Sequence, residues 1–242
     1  PQQVSAAVFA MGRSGLIKCY DKGTAPVYYI PGEKRLAAAC YRNTITHYFL
    51  ASAIGEVALA ACSLGIEIPT EALLRKKVNI VRALYRFEFF YPPSEEFWPL
   101  VLQAMNQRYP DWNSGTVSVH KAMADRPPRF GHAILRSLTE AYLIIATSLL
   151  DFKDKPVTDR KKFTEELLLQ GKQMLLQRCI SCESAISKDV LANGLKLAAH
   201  TELLEGDGAG LLQRREEAVQ RVVDILAAIN LLQECYDDAW FS

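Results

Sequence analysis

Apolar positions recur along this chain at helical spacing, in long runs broken by short Gly- and Pro-marked stretches. Residues 2–14 carry Val4, Val8, Phe9 and Met11, which predicts a short helix stopped at Gly15. Two β-rich runs follow, 16–20 and 27–30, around a turn at 21–24, and read as a β-hairpin. A helix followed by a hairpin has the order of the back half of a winged helix, a likeness of topology alone. From 33 to 64 the pattern predicts one long helix, entered after Pro31 and Gly32 and left at Gly65. At 1.5 Å per residue it would span roughly 48 Å. One face holds Ala37, Cys40, Tyr41, Thr44, Tyr48, Ala51, Gly55 and Ala58. Its neighbour holds Ile45, Phe49, Ser52, Glu56 and Leu59. Two largely apolar faces suit a helix at the centre of a bundle.

Further helices are predicted over 70–89, with Thr70 as N-cap, and 94–107, after Pro92 and Pro93. The stretch 108–130 lacks a clean period and is rich in Pro, Gly, Asn and Asp, so it reads as a surface loop. Helical patterns resume over 131–152, 158–185, 187–204 and 210–240. Residues 158–160 and 187–189 serve as starts. Val219, Val222, Val223, Leu226, Ile229 and Leu232 mark the last stripe. The expected fold is all-α: a bundle of seven to eight helices (33–242) behind an N-terminal helix and hairpin (1–32), forming one structural unit.

Composition narrows the classes. Half of the 242 residues are hydrophobic, and Gly 13 and Pro 11 are too few for a disordered or fibrous chain. Lys+Arg 28 against Asp+Glu 27 leaves +1, so no overall field draws nucleic acid, and none is expected as a partner. The longest run without Asp, Glu, Lys or Arg among the apolar stretches, 43–55, has 13 residues, short of the ~20 of a spanning helix. No transmembrane helix is expected. Six scattered cysteines in a chain of this size read as reduced thiols.

Few residues invite chemistry. His120 and Asp125 fit H-x4-D, a pair in which the imidazole, held by the carboxylate, deprotonates an attacking hydroxyl. Such a short pattern recurs by chance, and this one sits in a polar stretch without an oxyanion hole, so it reads as a decoy. Cys179 and Cys182 form a lone CxxC with no second pair for zinc, inside a helical pattern, and read as two helix cysteines; no metal is expected. Arg42, Asn43 and His47 are polar groups in the apolar long helix, with Asn43 and His47 four apart on one face. They read as a hydrogen-bond network that fixes packing, or as a ligand or interdomain contact. Arg75, Lys76, Lys77, Arg82 and Arg86 read as a solvated face or as a site for phosphate or lipid headgroups. Beside them Phe87, Phe89, Phe90, Tyr91, Phe97 and Trp98 form an aromatic patch suited to core packing or a membrane boundary.

The stretch 38–49, AACYRNTITHYF, resembles the YRN-x3-H-x-F segment of the membrane-associated glycerol-3-phosphate acyltransferases of the PlsB type. The surroundings resemble that family in the same order: 20–28, 53–59, FEFFYP at 87–92, LTEAY at 138–142, SAISK at 184–188 and ANGLKLA at 192–198. The resemblance implies that Tyr41, Arg42, Asn43 and His47 belong to a family motif of structural or interdomain weight.

It also implies a C-terminal region. In such enzymes the catalytic H-x4-D, the phosphate-binding Arg and the Pro-Glu-Gly segment precede the YRN segment. His120 and Asp125 follow it, so no catalytic residue carries over to this chain. The implied parent activity moves an acyl group from acyl-CoA or acyl carrier protein to position 1 of glycerol 3-phosphate, with dihydroxyacetone phosphate as a neighbouring acceptor. The acyl donor is a co-substrate, and no other cofactor is implied. The implied partner is the N-terminal acyltransferase domain of the same protein. The implied place is peripheral, on the cytoplasmic face of a bacterial inner membrane or an organelle outer membrane. The oligomeric state stays open. The alternative is an all-helical regulatory or binding module with a winged-helix-like N-terminus.

Overall fold

The computed structural model describes residues 2–65, 69–115, 118–206 and 209–241. The chain divides into two compact units, Pro1–Tyr48 and Phe49–Ser242. In the first, α1 (Gln2–Arg13) leads through Gly15, at φ +69°, into the hairpin β1 (Lys18–Tyr20) and β2 (Val27–Tyr29). The strands pair antiparallel with Cys19 opposite Tyr28. A 3-10 turn, Gly32–Lys34, then opens α2 (Arg35–Ser63), whose later half belongs to the second unit. Both the hairpin and the long helix stand where the pattern predicts them.

The second unit continues with α3 (Glu71–Leu84), α4 (Ser94–Arg108), α5 (Val119–Asp125), α6 (Gly131–Asp151), α7 (Arg160–Leu176), α8 (Lys188–His200) and α9 (Ala209–Phe241). The fold is all-α, with nine α-helices among the described residues. The additional one is α5, within the stretch read as a surface loop. Ser118 caps it by accepting from the Lys121 N–H at 3.2 Å, and Tyr109, Trp112, Val119 and Met123 are buried. A stretch poor in periodicity can still be anchored by a few large side chains.

Other boundaries shift for local reasons. Thr70 caps α3 as predicted, accepting from Leu73 N at 3.2 Å. The helix ends at Leu84 rather than 89, where Tyr85 leaves helical geometry at φ −100° and ψ 22°; beyond it Glu88 accepts from Tyr142 Oη at 2.9 Å and Asn193 Nδ2 at 3.2 Å. Asp159 caps α7 through Lys162 N at 2.9 Å. That helix stops at Leu176, nine residues before the predicted end, and Arg178 adopts φ +61°. Ser187 precedes α8 but makes no capping hydrogen bond with its side chain.

The centre of this unit is shared. Residues 53–60 of α2 are all buried, as the sequence anticipates for that helix. Helix α6 is buried almost as completely, from Ile134 to Leu149. Among the described residues, two segments are long and apolar enough to cross a membrane by length and composition, Ile45–Ser63 and Gly131–Asp151; both are mostly buried inside the protein. Two buried carboxylates fix α6. Glu56 closes its N-terminus, accepting backbone N–H groups of Arg129, Phe130 and Gly131 at 3.0, 2.9 and 2.7 Å. Glu140 accepts Ser181 N, Cys182 N and Ser181 Oγ at 3.0, 2.7 and 2.8 Å. A third buried polar group, the Arg215 guanidinium, donates to the carbonyls of Leu203, Lys153 and Lys155, closing the turns after α6 and α8.

Candidate functional site

A cleft of about 780 Å³ opens between α3, α6, α8 and α9 of the second unit. Helix α6 supplies its floor through Tyr142, Ile145, Ala146 and Leu149, spaced i, i+3, i+4 and i+7 so that all four share a face. Gly194 of α8 lets the floor close up. A Cβ there would stand 2.3 Å from Ile145 Cδ1 and 2.9 Å from the Tyr142 ring. Val222 of α9 and Leu84 of α3 add buried apolar wall.

The rim is cationic. Arg75 and Lys76 of α3, Arg86 just beyond it and Arg221 of α9 all line the cleft, with His200 at the end of α8. Among the described residues, no Asp or Glu lines it. The Arg86 guanidinium donates to His200 Nε2 and lies over the Phe87 ring, 5.6 Å from its centroid. An Nε2 that accepts from a guanidinium has its proton on Nδ1, so this pair needs the neutral imidazole. Arg75 lies over Trp98, 5.7 Å from the ring centroid. One carboxylate stands behind the floor: Glu88, bonded to the lining residue Tyr142. Burial pushes its carboxyl above the usual range, against the two hydrogen bonds that favour the charged form.

The basic run read from the sequence is therefore divided. Arg75, Lys76 and Arg86 reach the cleft. Arg82 does not line it: its guanidinium donates to Ser94 Oγ and the Pro92 carbonyl and lies over the Tyr91 and Phe97 rings. Lys77 also lies outside the lining; burial pushes the Cys62 thiol up to about 11, and the Lys77 charge opposes this only in part. The aromatic patch splits likewise. Tyr85, Phe89, Tyr91 and Phe97 form a chain of edge contacts, with Phe97 buried, while Phe90 is fully exposed. Sequence reading missed Arg221 and His200. The only available signal was the apolar stripe on α9 in which Arg221 precedes Val222.

His120 and Asp125 are both exposed on α5, and no hydrogen bond or ion pair joins them among the described residues. Five residues apart on a helix, they point about 140° from each other. Cys179 and Cys182 do not lie in a helix: they leave α7 in the segment that Glu140 holds, the first exposed and the second half-buried. Of the family-motif residues, His47 is exposed and its ring meets that of Tyr48 at 3.9 Å. Tyr41, Arg42 and Asn43 lie on α2, and their side chains fall outside the described residues.

Three comparisons with known proteins bear on this arrangement. A family described as the glycerol-3-phosphate acyltransferase C-terminal region matches residues 1–207. A Mycobacterium tuberculosis protein named for acyltransferase activity, plsB1, is 29% identical over 237 residues, covering 93% of this chain and 37% of its own length. The plsB1 of Mycobacterium bovis matches with the same identity and coverage. The chain thus spans little more than a third of the length of these curated relatives. No solved structure matches it.

Proposed function

The chain belongs to the glycerol-3-phosphate acyltransferase C-terminal region family, and from that membership we propose that it braces an acyltransferase whose proton-transfer groups lie outside these 242 residues. The parent reaction is acyl transfer from acyl-CoA or acyl carrier protein. The hydroxyl at position 1 of glycerol 3-phosphate attacks the thioester carbonyl, a C–O bond forms, the C–S bond breaks, and the hydroxyl proton ends on the thiol. A catalytic base is needed for the first step. The observation that carries the bracing role is the match to a C-terminal region in a chain whose H-x4-D pair is exposed and unjoined.

The partner in this reading is the N-terminal acyltransferase domain of the same protein. The exposed side chains of the first unit support it: Phe9, Tyr20, Tyr28, Tyr29 and Tyr48 are each at least 47% exposed, a density of bare aromatics that suits an interface. The family-motif residues Tyr41, Arg42, Asn43 and His47 belong to the same unit and have structural or interdomain weight in this reading.

We propose further that the enzyme sits peripherally at a cytoplasmic membrane face. The fully exposed Phe90, four residues beyond the cationic Arg86, supports that placement. Fusing this chain to an N-terminal acyltransferase region of the family should give transfer activity that is lost when Tyr28 and Tyr29 are both changed to Ser. Full activity of the N-terminal region without this chain would refute the bracing role.

A further inference from the structure

We propose that the cleft between α3, α6, α8 and α9 binds a single-chain anionic amphiphile, with its hydrocarbon on the α6 floor and its phosphate or carboxylate at the cationic rim. At about 780 Å³ the cleft falls within the ~300–1,000 Å³ of small-molecule sites. Its walls and its mouth ask for different chemistry. Leu84, Ile145, Ala146, Leu149 and Val222 are buried side chains that offer a guest no hydrogen bond. Among the described residues, Arg75, Lys76, Arg86 and Arg221 supply the fixed charges of the lining, all of one sign, in a chain with 28 basic and 27 acidic residues. A guest that satisfies both has an apolar body and an anionic end.

The rim is also partly organised for an anion with two acceptor oxygens. Arg86 is held by His200 and by the Phe87 face, so its fork is fixed before a ligand arrives. A nucleotide or nucleic acid would fill the charged mouth and leave the floor bare. An uncharged chain would fill the floor and leave the cations unmatched. The inference stands apart from the acyl-transfer reading, since it concerns binding by this chain and needs no catalytic domain.

Calorimetry on the 242-residue chain tests it, with ligands kept below their micelle concentrations. Decyl phosphate is the main probe and decanoate the alternative headgroup. Octyl phosphate, inorganic phosphate and decyl maltoside are the controls. Decyl phosphate should bind about fifteenfold tighter than octyl phosphate, since it has two more methylenes and each one buried is worth roughly fourfold. It should bind at least tenfold tighter than inorganic phosphate or the uncharged decyl maltoside. The double variant Arg86→Ala/Arg221→Ala should weaken decyl phosphate at least tenfold and leave decyl maltoside unchanged. Ala83→Trp, a substitution at an exposed lining position of α3, should block the site, with an unchanged melting midpoint showing that the variant folds.

Decyl phosphate binding no tighter than phosphate overturns the proposal. So does binding indifferent to both variants. Attachment to anionic vesicles that survives Ala83→Trp, without monomer binding, assigns the rim to a membrane surface and overturns it too. An acidic amphipathic peptide that outcompetes decyl phosphate would make the cleft a helix-docking groove, with the same consequence.

Discussion

The Glu56 carboxylate accepts the backbone N–H of Gly131 at 2.7 Å, so a side chain in the middle of α2 closes the first turn of α6. Phe130, the residue before α6, offers no capping side chain of its own. Glu56 also takes the N–H groups of Arg129 and Phe130, and it is only 2% exposed. A carboxylate so buried is costly, and burial pushes its carboxyl above the usual range; the three N–H donors and the nearby Arg108 charge pull the other way.

Glu56→Gln tests this relationship. An amide matches the carboxylate in shape but turns an NH2 group towards at least one of three buried N–H donors. The loss should be about 1–3 kcal/mol. For a chain of 150–250 residues each kcal/mol lowers the melting midpoint by roughly 2–4 °C. A midpoint equal to that of the unsubstituted protein would show that the cap is not needed.

The sequence placed Glu56 on the right helix and on a mostly apolar face, yet nothing there identified it as a cap, because its partners lie more than 70 residues away. The same limit explains Glu140 and Arg215, whose work is done on backbone groups of distant turns. What was legible is what repeats: the apolar period of α2, α6 and α9, the hairpin around residues 21–24, and the cap at Thr70. The end of α7 was not legible, since Leu175 and Leu176 prolong the apolar pattern up to the left-handed Arg178. Half of the cleft rim was. Arg75, Lys76 and Arg86 stand out as a basic run, while Arg221 and His200 reach the same mouth from other helices.

His132 should make stability depend on pH on the acid side. Its ring is buried against Tyr236, with centroids 4.9 Å apart, and Nδ1 has no hydrogen-bond partner among the described residues. Burial first, and then the Arg136 charge, push its pKa below the ordinary value near 6.5; Asp237 opposes them. The unfolded chain therefore takes up the proton first as pH falls. This contribution is complete above about pH 6.5 and is lost as pH drops through the lower folded value. His132→Phe keeps the ring contact and removes the titration, so its melting midpoint should fall less between pH 7.5 and 5. Identical slopes for the two proteins would contradict the assignment.

Gly194→Ala sets two effects against each other. Alanine favours a helix over glycine by about 1 kcal/mol. The new Cβ would stand 2.3 Å from Ile145 Cδ1, and the Tyr142 ring closes the other side at 2.9 Å. Overpacking of this kind costs ~1–3 kcal/mol. The net should be destabilising, read as a lower melting midpoint. A higher midpoint would mean that α8 can move off α6 at little cost.

The proposal that these residues serve an acyltransferase without performing its proton transfer rests on family membership. The most direct measurement incubates the 242-residue chain alone with a long-chain acyl-CoA and radiolabelled glycerol 3-phosphate and follows label into lysophosphatidate. No product above a heat-treated control is expected. Turnover by this chain, abolished by His120→Ala, would contradict it.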